Sequence, residues 1–446
     1  MAIHQTETGN SMILNKRQFL KFGGVSLAGA AIAPMYVNAS ASDSSSLESK
    51  TNNSSKLRNL TRNVKPISVD ERKARIAKAQ KIMSQLDVAA LILEPGAAMD
   101  YFTGIQWWRS ERLTAVVIPR EGDIAVVCPF FEEPSIRESL AVGKDVRVWQ
   151  EHESPFALVN KILSERKVSK AGGKIAFEHS VRYFVLKGVM ELVPDMQDVR
   201  AETITLGCRM YKSEHEIALM RKANEVTLTA YAHVWSQLQL GMDQNEVKAL
   251  MASAQSQLGG SNVWNMALFN EASAYPHGTR QSQTIGEGSI ILMDCGCEVE
   301  GYQSDISRTF VFGEPNKKQK KIWHNVREGQ RIAFETAQIG VAAGVVDEKV
   351  REFYQAQGFG PDYKLPGLSH RTGHGIGMEG HESVNFVRGE TTLLRPGMCF
   401  SNEPGIYLPG EFGVRLEDCI YMTELGPKWS TVPPNSLLDP IGSMGK

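Results

Sequence analysis

Apolar and polar positions follow two periods along this chain, and the change from one to the other marks its elements. Ile76, Ala79, Met83 and Leu86 recur at helical spacing behind Ser68-Val69-Asp70-Glu71. Ser68 and Glu71 have the spacing of a capping box, so the sequence predicts a helix starting there. Val88 to Leu93, Leu113 to Ile118 and Asp123 to Cys128 read as short apolar strands, and a helical stretch from Phe156 to Arg166 precedes a strand from Lys174 to Phe177. This alternation predicts an α/β domain over residues 67–211. Two more capping boxes, Ser213-Glu214-His215-Glu216 and Asp243-Gln244-Asn245-Glu246, open long amphipathic helices. A second domain is therefore expected over residues 212–446. Beyond Val263 its pattern turns to strands and glycine-bearing turns, interrupted by a helix expected from about Lys317 to Gln338.

The first 66 residues carry a different pattern. Lys16 and Arg17 precede an apolar run from Phe22 to Val37, closed by Ala39-Ser40-Ala41. That succession has the layout of a signal peptide over residues 1–41, cut after Ala41. Gly23, Gly24, Gly29 and Pro34 interrupt the run, which falls short of the roughly 20 apolar residues of a membrane span. Lys16-Arg17-Gln18-Phe19-Leu20-Lys21 resembles a twin-arginine export motif with Lys16 in place of the first arginine and Asn15 in place of the usual serine. Export to the periplasm by that route is the expectation, with an uncleaved anchor as the alternative. From Ser42 to about Lys65 the chain is rich in Ser and Asn and is expected to be a flexible tether.

Composition narrows the function. The 446 residues carry 49 Lys and Arg against 50 Asp and Glu, so no basic excess favours nucleic acid. Six cysteines without a disulfide rhythm are expected to be mostly free and buried.

The residues suited to chemistry lie in the second half. Ile290-Ile291-Leu292-Met293 runs straight into Asp294, and a carboxylate ending so apolar a strand is costly to bury unless it is paired or binds metal. A hairpin centred between Val299 and Glu300 would make Asp305 its cross-strand partner, with Cβ atoms about 5 Å apart. Glu403 and Glu417 likewise straddle a turn centred on Gly410. Between the two hairpins lies His370-Arg371-Thr372-Gly373-His374-Gly375-Ile376-Gly377-Met378-Glu379-Gly380-His381-Glu382, whose glycines allow close approach around His374. Four carboxylates and one imidazole suit hard divalent ions, Mn²⁺ foremost, and five ligands fit two metals sharing a site. Hydrolysis is the reaction class that follows.

These motifs resemble the pita-bread metallopeptidases of the Xaa-Pro aminopeptidase and prolidase family. The resemblance is carried by Tyr275-Pro276-His277-Gly278, Asp294-Cys295-Gly296, Ser304 to Phe310, the His370 to Glu382 run, Glu403-Pro404-Gly405-Ile406-Tyr407 and Gly413 to Asp418. It implies an α/β N-terminal domain of the creatinase/prolidase type followed by an α+β pita-bread catalytic domain. It also implies that Asp294, Asp305, His374, Glu403 and Glu417 are the metal ligands, for two divalent ions that are Mn²⁺ or, alternatively, Co²⁺, Zn²⁺ or Fe²⁺. His277, His370 and His381 match the family's active-site histidines that do not bind metal. Arg415 matches its arginine that contacts substrate or carboxylate, although the same side chain could merely neutralise a ligand.

By that resemblance, Glu403 would take the proton from the attacking water, while His277 and His381 would bind the tetrahedral oxyanion or the scissile amide. The bond cleaved would precede proline in a short peptide. A dimethylsulfoniopropionate lyase or ectoine hydrolase type of small-solute enzyme, or a noncatalytic binding module, is the alternative on the same fold. Gln106-Trp107-Trp108-Arg109 is aromatic enough for a contact surface, and with the family resemblance it supports a homodimer. His179, His215 and Glu379 are expected to be surface or packing residues.

Overall fold

The protein, seen in a computed structural model, is described over residues 57–168 and 170–445. The expected signal peptide and the tether as far as residue 56 lie outside the described residues.

Helix α1 (Val69–Leu86) starts on the Ser68–Glu71 capping box read from the sequence, both reciprocal hydrogen bonds being present. Behind it stands a mixed six-stranded sheet of β1 (Val88–Leu93), β2 (Ala115–Pro119), β3 (Ala125–Pro129), β4 (Asp145–Trp149), β5 (Lys174–Phe177) and β6 (Gln197–Arg200), in the order β4-β3-β2-β1-β5-β6. Every residue of β1 is buried because both sheet faces are covered. Leu91 and Leu93 face one core, and Ala90 and Ile92 face the other. Helices α2 (Ala97–Thr103), α3 (Glu133–Ser139), α4 (Pro155–Glu165), α5 (Tyr183–Met190) and α6 (Glu202–Arg209) complete this domain.

The second domain opens with α7 (Glu214–Gln237) and α8 (Gln244–Leu258), both on the expected capping boxes. They pack on β7 (Ser261–Phe269), β8 (Ile290–Val299), β9 (Tyr302–Gln303) and β10 (Ile306–Val311). Two more helices follow, α9 (Lys317–Thr336) and α10 (Ala343–Ala356), where the sequence pattern indicated one. Strands β11 (Gly373–Gly375), β12 (Glu382–Phe386), β13 (Cys399–Asn402), β14 (Gly405–Leu408), β15 (Phe412–Arg415), β16 (Asp418–Thr423) and β17 (Gly426–Trp429) follow, five of them in the order β12-β11-β13-β16-β17, and the short pair β18 (Thr431–Val432) and β19 (Ser443–Met444) ends the domain.

Three expectations need correction. The segment read as a tether through Lys65 is held from Leu57 onward. Leu57, Leu60 and Val64 pack against the second domain's core, and Leu60 N–H donates to Leu258 O at 2.8 Å. The β8 hairpin turns two residues later in register than expected, on Glu300 and Gly301, both at positive φ as a two-residue turn requires. Asp294 therefore lies opposite Ser307 and not Asp305. A two-residue shift preserves the side of the sheet, so both aspartates still face the same space. The third is α10, whose Ala342 N-cap supplies no side-chain hydrogen bond and so leaves no capping signal in the sequence. The other hairpin has the expected register: Gly405 opposes Arg415 and Leu408 opposes Phe412, about Gly410.

The two domains share a core. Tyr302, Ile376, Met378, Cys399, Cys419 and Tyr421 cluster with Met83, Leu91 and Phe102. Buried ion pairs reinforce that seam: Arg75 reaches Glu216 at 3.1 Å, while Arg209 and Lys212 reach Glu382 at 2.6 and 2.8 Å. No helix among the described residues is long and apolar enough to cross a membrane.

Candidate metal centre

The five expected ligands come from five separate strands or strand ends and converge. Asp294 sits mid-way along β8, Asp305 just before β10, His374 in β11, Glu403 just after β13 and Glu417 between β15 and β16. His374 Nε2 lies 3.6 Å from Asp305 Oδ2, 3.5 Å from Glu403 Oε1 and 3.9 Å from Glu417 Oε1. Asp294, Asp305 and Glu417 form a further cluster with oxygens within 4.8 Å of one another. Gly373, beside the histidine, is required: an added Cβ would stand 2.2 Å from Ser401 O.

His374 Nδ1 lies 3.0 Å from Gly375 O, a carbonyl that can only accept. The ring therefore carries its proton on Nδ1 and turns the Nε2 lone pair toward the carboxylates, the tautomer of a metal ligand. Burial, with neighbouring His381, holds His374 well below the usual histidine range. Burial and the neighbouring carboxylates push Asp305 and Glu417 well above the carboxylate range. Burial raises Glu403 to about 7, an effect that Arg415 partly opposes and Asp294 reinforces. Asp305 Oδ1 and Glu417 Oε1 are buried with no hydrogen-bond partner among the described residues. Buried polar atoms ordinarily have partners, and four crowded carboxylates repel, so the donor set fits divalent cations.

Around the ligands the remaining expected residues separate by role. Arg415 is buried, with Nη2 2.6 Å from Asp294 Oδ2, Nε donating to Ser307 Oγ at 2.9 Å, and Nη1 donating to Tyr407 Oη at 3.1 Å and Pro276 O at 3.2 Å. Its donors are engaged inside the protein, so the geometry favours neutralisation of a ligand over grip on a substrate. His370 is likewise a brace. Nδ1 donates to Arg371 O at 2.7 Å, leaving Nε2 to accept from Tyr407 Oη at 2.8 Å. Burial and Arg415 lower its pKa to about 3, which keeps the ring neutral. His277 and His381 are open to the cavity above the ligands, and the His381 ring centroid stands 4.0 Å from that of His374.

Ser307, Tyr407 and Arg371 lie within the motifs, but the sequence pattern assigns them no role. Ser307 Oγ lies 3.0 Å from Asp294 Oδ1 and 2.8 Å from Glu417 Oε2, tying two ligands together. Glu379, expected at the surface or in packing, lines the cavity and pairs with Arg209 at 2.7 Å. His215 braces Glu71 at 2.8 Å, and exposed His179 pairs with Glu178. All six cysteines are free and buried, and Cys419 Sγ backs the site at 3.3 Å from Asp305 O. The cavity itself has a volume of about 1030 Å³, ample for a short peptide.

Comparison with known proteins gives the family of both domains. Residues 218–424 match the model of metallopeptidase family M24, and residues 75–211 match the creatinase/prolidase N-terminal domain. The chain is 33% identical over 356 residues to the probable dipeptidase PepE of Mycobacterium tuberculosis, covering 79% of this chain and 92% of that protein. The crystal structure of dipeptidase PepE from Mycobacterium ulcerans superposes with a TM-score of 0.74 at 30% identity, over 82% of this chain and 96% of that one. A prolidase from Thermococcus sibiricus gives a TM-score of 0.73 at 27% identity, over 80% and 95% of the two chains. The two family models and this relative, matched over a pita-bread domain behind a creatinase-type N-terminal domain, thus place the chain in metallopeptidase family M24 as a hydrolytic enzyme.

Proposed function

We propose that the protein is a peptidase with two divalent ions that cleaves the bond before proline in short peptides, as an exported homodimer. The observation that carries the reading is the buried five-ligand cluster with its two unpartnered carboxylate oxygens. Its similarity to a probable dipeptidase and to a prolidase supports the substrate class.

Asp294, Asp305, His374, Glu403 and Glu417 would hold the ions, Mn²⁺ being the first choice for so oxygen-rich a set. When bound, the ions activate water at neutral pH and polarise the scissile carbonyl. Glu403, whose carboxylate stands 3.5 Å from His374 Nε2 at the edge of the cavity, accepts the proton of the attacking water. His277 and His381, free to face the cavity, donate hydrogen bonds to the developing oxyanion or the scissile amide. Arg415 pairs with Asp294 at 2.6 Å, and the Tyr407–His370 pair holds that guanidinium in place.

The test is product analysis of the purified protein with Mn²⁺ against Ala-Pro, Ala-Ala, a Xaa-Pro-Xaa tripeptide and small osmolytes. Release of proline from Ala-Pro well ahead of Ala-Ala hydrolysis is expected. Equal turnover of Ala-Ala would leave a broader peptidase, and turnover of an osmolyte alone would favour a small-solute enzyme of the dimethylsulfoniopropionate lyase or ectoine hydrolase type.

A further inference from the structure

Two arginines line the cavity, and they differ in how their charge is spent. Arg415 is committed to Asp294. Arg371 is not committed to any acid: Nη1 donates to Asn385 Oδ1 at 3.0 Å and Nη2 donates to His381 Nδ1 at 3.0 Å, both neutral acceptors. Among the described residues it forms no ion pair. A guanidinium has five N–H donors in a planar fork, so two contacts fix its orientation and leave donors free for a bidentate acceptor. The acids beside it are already employed, Asp294, Asp305, Glu403 and Glu417 as the ligand cluster and Glu379 with Arg209.

Position agrees with charge. The His381 ring bridges the interval between the ligand cluster, through its 4.0 Å centroid contact with His374, and the Arg371 guanidinium. A dipeptide whose scissile carbonyl sits at the ligand cluster carries its terminal carboxylate one residue further on, about 3.5 Å of extended chain. Arg371 and the ligand cluster line the same cavity and contact the same His381 ring. Arg371 is only half-buried, so a ligand can approach it.

We propose that Arg371 is the receptor for the C-terminal carboxylate of a dipeptide substrate, which makes dipeptides and not longer peptides the preferred length class. The inference rests on the peptidase reading above. It moves the carboxylate-binding role from Arg415, where the family resemblance put it, to a residue three positions before His374.

The experiment compares the full-length metal-loaded protein on Ala-Pro, Ala-Pro-amide and Ala-Pro-Ala, together with calorimetric binding of proline and prolinamide. Wild type should favour the free acid over the amide by about 10- to 100-fold in kcat/KM, the range of a charge-assisted hydrogen-bond pair. Arg371→Gln should collapse that ratio toward one, chiefly through KM. It should also abolish the preference for proline over prolinamide in binding while leaving metal content unchanged. Arg371→Lys, which keeps the charge and loses the fork, should fall between. An acid-to-amide ratio that survives Arg371→Gln, or a wild type indifferent to amidation, overturns the assignment while leaving a peptidase in place. A wild type that hydrolyses no peptide overturns the peptidase reading, and this one with it.

Discussion

Arg415 Nη2 stands 2.6 Å from Asp294 Oδ2 across 121 residues of sequence, and the same arginine is hydrogen-bonded to Ser307, Tyr407 and Pro276. A cation built so deeply into the ligand cluster offsets carboxylate repulsion before any ion arrives. Arg415→Met should therefore cost roughly 3–5 kcal/mol of stability in metal-free protein, as breakage of a buried pair does. Turnover of dipeptides and tripeptides should fall by the same factor. Thermal melts and paired kinetics check both, and a loss confined to dipeptides would return the carboxylate grip to Arg415.

Asp305→Asn keeps the ligand's shape and removes its charge. Elemental analysis should show about two divalent ions per chain in wild type and at most one in the variant. In wild type, chelator should lower the melting temperature, because ion binding at 100 times Kd is worth about 2.7 kcal/mol. Full metal content in the variant would move the site elsewhere.

Glu382 joins Arg209 and Lys212 at the domain seam and accepts hydrogen bonds from Met378 and Glu379 N–H, fixing the loop that carries His381. Burial raises its pKa, but Lys212 and Arg209 more than offset this and hold it at about 2. A depressed folded-state pKa contributes stability above the unfolded value of about 4.3, lost as pH falls toward 2. Wild type should melt well above Glu382→Gln at pH 6, and the gap should shrink steadily below pH 4. A gap that widens in acid would reverse the assigned sign.

Trp108 is 66% exposed and stacked on Trp107, which is itself packed against the N-terminal core. If this ring anchors the proposed dimer, Trp108→Ala should raise the dimer dissociation constant by about 30-fold or more, the usual scale for an aromatic anchor. Light scattering across a dilution series measures this, and a monomeric wild type at micromolar concentration would exclude the homodimer.

The export proposal depends on the pair Lys16-Arg17 and the small residues ending at Ala41. Replacing both basic residues with Gln should leave precursor in the cytoplasm of the native host. Terminal sequencing of the fractionated protein decides it, since an unprocessed N-terminus on exported wild type would contradict cleavage.

What could be read from the sequence was what is local or periodic. Three capping boxes, at Ser68, Ser213 and Asp243, each depend on residues three apart and reappear as written. The hairpin about Gly410 follows from alternation across one short turn; the four carboxylates stand out as candidate ligands because carboxylates in apolar surroundings need a cation, and His374 because glycines flank it. Helix α10 was invisible because it lacks a cap and earns its place through Val346, Val350 and Tyr354 in the core. The β8 register was set by the positive-φ turn at Glu300 and Gly301, which hydrophobic pattern alone does not locate to the residue. Only the tertiary structure could separate Arg415 from Arg371. Each lies in a motif beside a ligand, but which arginine keeps an unspent charge depends on the acids brought near it from distant strands, and ion pairing is decided by distance in space.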